Sequence, residues 1–91
     1  MGNPIIDYFS LDIEGAEYQV LKTIPFQDIN IKLFGIEVEH AGKIFNGTEK
    51  DIRSLLFVNG FQYVAKTRLD KFYRKKGKTR RSNPPKIMEI Y

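Results

Sequence analysis

The sequence predicts an α/β fold of order β-α-β-α-β-β, and three observations predict it. A strand-length run of β-branched and aromatic residues at 5–12 gives way at 15–24 to apolar residues at helical spacing. The same alternation repeats at 31–38 and 48–59. Two short runs of strand formers, 61–64 and 69–73, then follow with too little chain between them for a helix, as an antiparallel hairpin requires.

Each element has its own local reasons. Within residues 5–12 the only polar positions before Asp12 are Asp7 and Ser10, so the run predicts a central strand buried on both faces. Ala16, Val20, Leu21 and Ile24 then fall on one helical face, and Pro25 blocks continuation. Glu14 and Glu17 stand near the start of that helix, where carboxylates complement the positive end of the macrodipole. Ile31, Leu33, Phe34, Ile36 and Val38 predict a second strand, and strand-helix-strand within so short a span is the βαβ unit of parallel sheets. Thr48 with Asp51 three residues on predicts a capped helix through Ile52, Leu55 and Leu56, closed by Asn59-Gly60. Beyond the hairpin, residues 75–86 lack any apolar period and are expected to be mobile, while 87–91 carry a late edge strand.

Ninety-one residues make one small domain, and 42% hydrophobic content with seven Phe and five Tyr is globular rather than disordered. The absence of cysteine excludes disulfides and thiolate metal sites. No apolar run has the length of a membrane span, and the first residues lack the pattern of a signal peptide, so a soluble chain, cytoplasmic by default, is expected. The net charge of +4 is unevenly placed. Residues 1–65 hold five basic and nine acidic side chains, whereas 66–91 hold ten and two. A basic tail of that kind can contact nucleic acid or an anionic membrane. Two parallel strands alone would also leave long open sheet edges, which invite self-association and suggest half of a larger sheet.

Candidate chemistry gathers at strand ends. Asp12 and Glu14 end the first strand, and Glu37, Glu39 and His40 end the second. If the strands are neighbours, their C-terminal ends form one rim, the place where open α/β sheets keep their ligands. Asp12, Glu14, Glu39 and His40 are the candidate catalytic residues, as carboxylates and an imidazole able to accept a proton. The bland alternative makes Glu14 and Glu17 dipole partners and has Asp12 accept turn amides. Asn46-Gly47-Thr48 is a glycosylation acceptor sequence that a turn and a helix cap also explain.

The stretch Asp7-Tyr8-Phe9-Ser10-Leu11-Asp12-Ile13-Glu14-Gly15-Ala16-Glu17, with Val20-Leu21 and then Ile36-Glu37-Val38-Glu39, resembles the C-terminal half of FkbM-type methyltransferases. The likeness continues through Asn59-Gly60-Phe61 and Asp70-Lys71-Phe72-Tyr73-Arg74-Lys75, covering residues 5–76. Its most specific part is D-x-E-G-A-E, and its wording is closest to animal Star-like members.

The resemblance implies a Rossmann-like class I methyltransferase sheet of which the C-terminal half, strands four to seven, is present and the N-terminal half absent. It implies S-adenosyl-L-methionine as cofactor of the full-length domain and an O-methyl acceptor that is a small molecule or glycan. The glycine-rich cofactor loop has no counterpart among the glycines here, so the isolated chain is expected to be inactive. A Star-like member would instead act without catalysis in secretory or endosomal membrane traffic, tethered by an upstream anchor. The expected organisation is a partial methyltransferase domain at 1–76 and a basic tail at 77–91.

Overall fold

The β-branched run at the start of the chain is extended but interrupted, forming β1 (Ile5–Ile6) and β2 (Tyr8–Leu11) on either side of Asp7. These coordinates are a computed structural model that describes residues 4–43, 45–77 and 84–91. The second run is likewise divided, into β3 (Asn30–Ile31) and β4 (Leu33–Glu37). β1 pairs with β3 and β2 with β4, both in parallel, and Ile5↔Asn30 and Phe9↔Phe34 share one register offset. The interruption falls at Asp7 and Lys32. There the amides of Asp7 and Tyr8 both donate to the Lys86 carbonyl, and the Asp7 carboxylate lies 3.6 Å from the Lys32 ammonium.

Between these strands lies α1 (Glu17–Leu21), shorter than the predicted 15–24. After Leu21 the bonds tighten to three-residue spacing, Thr23 donating to Val20 and Ile24 to Leu21, and Pro25 ends the turn. α2 (Glu49–Val58) has the predicted cap: the Thr48 hydroxyl accepts from the Asp51 amide, and the Asp51 carboxylate accepts from Thr48 N–H at 2.9 Å. β5 (Phe61–Lys66) and β6 (Asp70–Lys75) form the predicted antiparallel hairpin, with a bulge between Tyr63 and Ala65. The last strand, β7 (Ile87–Ile90), runs parallel to β2.

The main sheet therefore has the order β5-β6-β4-β2-β7, with β6 antiparallel to β4. Alternation along β2 separates its two faces: Phe9 and Leu11 are buried, whereas Tyr8 and Ser10 are half-buried. Leu21 from α1 and Ile52 and Leu56 from α2 share a single core with Phe9, Leu11, Phe34, Ile36 and Phe61. The rings of Phe34 and Phe61 meet edge-on at 5.0 Å, an arrangement their quadrupoles favour.

Three expectations are revised by this arrangement. β2 is not buried on both faces, because both helices belong to the core on one side and the other carries Tyr8, Ser10 and Gly35. The outer edge of β2 is not open, because the chain's own β7 covers it. Within the stretch expected to be mobile, Lys75 belongs to β6, and Lys86 is fixed by its amide on Asp7 Oδ2 at 2.8 Å. Residues 78–83 of the basic tail lie outside the described residues. Among the described residues no helix is long and apolar enough to cross a membrane.

Candidate functional site

β2 and β4 are parallel neighbours with Leu11 opposite Ile36, so the next residues, Asp12 and Glu37, emerge side by side at one rim. Past Asp12 the chain must turn sharply to enter α1. Glu14 adopts φ +53, a left-handed conformation that carries steric cost outside glycine, and Gly15 follows at φ +105. Gly15 has a second reason to lack a side chain: a Cβ there would lie 2.9 Å from the His40 carbonyl oxygen. The turn after β2 and the loop after β4 thus touch through backbone.

Glu17 holds this turn in place. Its side chain is fully buried, and its two carboxylate oxygens accept from Ile13 N–H at 2.8 Å and Gly15 N–H at 3.0 Å. The amide-binding role that the bland sequence reading gave to Asp12 belongs to Glu17, which leaves Asp12 exposed. Glu37 is 6% exposed and accepts from the Glu39 amide. Burial pushes its carboxyl above the ordinary carboxylate range, the Glu39 bond opposes this, and the charges of Glu17 and Asp12 raise it further.

Carboxylate oxygens of Asp12, Glu17 and Glu37 all lie within 4.8 Å of one another. These are the described residues that could together hold a cation, but Glu17 and Glu37 already accept main-chain bonds. Of the four residues chosen from sequence, only Asp12 is in this group. Glu14 is exposed and borders, with Asp12, Ile13 and Tyr91, a shallow hollow of about 370 Å³. Glu39 is exposed beside Arg68 and Leu69, and its carboxylate lies 3.6 Å from His40 Nε2. Glu37 was legible as a strand-end acid, yet its pairing with Asp12 depends on the register between two strands. That register becomes visible only when the strands are aligned, by matching Phe9-Ser10-Leu11 to Phe34-Gly35-Ile36.

A family model described as the methyltransferase FkbM domain matches residues 2–63, which include everything from β1 to the start of β5. The chain belongs to the FkbM methyltransferase family. No curated protein and no solved structure matches it. In this FkbM chain the matched segment contains both halves of the rim, Asp12 with Glu14 and Glu17 on one side and Glu37 with Glu39 and His40 on the other. The mixed five-stranded sheet with two helices is consistent with part of an α/β methyltransferase fold.

Proposed function

We propose that this FkbM chain is the acceptor-side half of an S-adenosylmethionine-dependent O-methyltransferase acting on a hydroxyl of a small molecule or glycan. One observation carries the reading: in a chain of this family, an exposed Asp12 stands beside Glu37 where two parallel strands end. The family is generally S-adenosylmethionine-dependent, and the bound cofactor would supply an electrophilic methyl group. The residues here do not form its cradle, since no glycine-rich loop of the G-x-G-x-x-G kind occurs in the sequence. Their part is with the acceptor. An acceptor hydroxyl at the rim can hydrogen-bond to Asp12 and give up its proton to that carboxylate or to His40 as the oxygen becomes a nucleophile. Glu14, two residues past Asp12, and Glu39, two past Glu37, are assigned the orienting of the acceptor, and buried Glu17 and Glu37 hold the two loops in place.

The test compares two proteins by calorimetry with S-adenosylmethionine, followed by transfer of a labelled methyl group to hydroxyl acceptors. The 91-residue chain should give no heat, and a version extended upstream with the complementary strands should bind and transfer. Asp12→Asn in the extended protein should lower kcat by roughly 10²-fold or more, as expected for a lost general base. An extended protein that neither binds nor transfers overturns the enzymatic reading and leaves the non-catalytic Star-like role in membrane traffic.

A further inference from the structure

At the end of the sheet opposite the acidic rim, the starts of β4 and β5 and the end of the antiparallel β6 surround a cleft of about 620 Å³. Its polar lining is Asp7, Lys32, Gln62, Arg74, Lys75 and Lys76. Among the described residues that line it, four are basic and one is acidic, and that carboxylate already serves Lys32 and the Lys86 amide. Arg74, Lys75 and Lys76 take part in none of the ion pairs among the described residues. Like charges brought to one concave surface repel one another, and a multivalent anion relieves that repulsion.

Two of these side chains are also held in place. The Lys75 ammonium donates to the Asn59 carbonyl at 3.1 Å and lies over the Phe61 ring, while Lys76 lies over the Phe57 ring at 4.6 Å. These partners lie outside the cleft lining, so the two ammonium groups are fixed beside the cleft, where they add to its positive potential without having to be ordered on binding. A solvated charged face needs neither concavity nor such contacts.

We infer that this cleft is a binding site for a phosphate ester carrying at least two negative charges, separate from the acidic rim. Arg74 offers a planar fork that fits two phosphate oxygens, Lys32 a point charge, and the Gln62 amide a neutral donor, while Lys75 and Lys76 add positive potential from beside the cleft. Leu33 supplies an apolar wall for the organic part of the ligand. A single bounded cleft suits a small phosphorylated molecule or a lipid head group better than a nucleic-acid strand, which needs an extended track with stacking rings.

The experiment is calorimetry on the full 91-residue chain at low ionic strength, with fructose bisphosphate as the soluble probe. A sedimentation arm uses phosphatidylcholine vesicles with and without phosphatidylinositol bisphosphate. Fructose bisphosphate should bind saturably at one site. The double variant Arg74→Gln, Lys76→Gln should weaken binding by about tenfold or more, the scale of a lost charge-assisted hydrogen bond. Lys22→Gln, Lys50→Gln removes the same charge from the C-cap of α1 and from α2 and should leave affinity within about twofold. Saturable binding of the soluble probe with no preference for the doped vesicles assigns the site to free phosphate esters. Preference for doped vesicles that the same double variant abolishes assigns it to the lipid head group. Equal losses in both double variants, no saturation with either probe, or tighter binding of a single-stranded oligonucleotide would overturn the inference. Circular dichroism and melting temperature, unchanged in both variants, separate lost binding from lost folding.

Discussion

Glu37 is a carboxylic acid whose ionisation the fold opposes. Its burial, reinforced by the charges of Glu17 and Asp12, holds its carboxyl proton more tightly than in the unfolded chain, against the pull of the Glu39 amide and His40. The folded protein therefore binds more protons than the unfolded one between the ordinary carboxylate range and the raised value of Glu37. The associated stability is complete below that range and is lost as pH rises through the raised value. Glu37→Gln keeps an acceptor oxygen for Glu39 and removes the charge. Near neutral pH the variant should melt above the wild type. Below the carboxylate range the difference should close. Melting curves across that span check it, and a variant that melts below wild type at neutral pH would mean the charge is used rather than merely tolerated. At this scale the sequence was partly legible. Asp12 could be placed at a strand end from its neighbours alone, whereas the roles of Glu17 and Glu37 depend on burial, and nothing in a run of acids shows which one the turn encloses.

At the scale of elements, α2 follows most directly from its residues. Thr48 and Asp51 satisfy each other's amides, and Ile52 and Leu56 turn one face to the core. Replacing Thr48 by Ala removes the hydroxyl acceptor for the Asp51 amide at a helix start that is otherwise exposed to water. The cost should be about 1 kcal/mol, read as a lowered urea midpoint with unchanged slope. Thr48→Ser should recover most of it, and equal stability of all three proteins would show that the cap contributes nothing. The hairpin was equally legible, because two strand runs joined by a short link have little choice but to pair. Element lengths were less so. Tightened bonds after Leu21 shortened α1, and Asp7 divided the first strand because its amide bonds to Lys86, far along the chain. Periodicity carries no information about a partner so distant. Gly35 makes the same point from packing, since a Cβ there would collide with the Tyr8 hydroxyl, a crowding that arises only once β2 and β4 are paired.

For the molecule as a whole, the decisive element is the one its sequence shows least. β7 has little apolar burial to recommend it, Ile87 being 65% exposed, and it follows a strongly basic stretch that reads as solvated tail. What holds it is main chain: Asp12 N–H donates to Ile90 at 2.8 Å, Asp7 and Tyr8 donate to Lys86, and Lys86 donates back to Asp7. Its effect is to satisfy the β2 edge, whose unpaired groups would otherwise offer a template to another strand. A further parallel strand joining the sheet at β2 would need the same donors and acceptors, so β7 and such a strand exclude each other. Removing residues 86–91 should then change stability little, because few apolar contacts go with them. It should change association a great deal. The truncated chain is expected to form concentration-dependent dimers or larger species by size-exclusion chromatography with light scattering, where the full chain stays monomeric, and a short synthetic peptide of residues 86–91 added in excess should reverse this. A truncated chain that remains monomeric at every concentration, with the melting temperature of the full chain, would show that the β2 edge needs no cover and that β7 does not guard it.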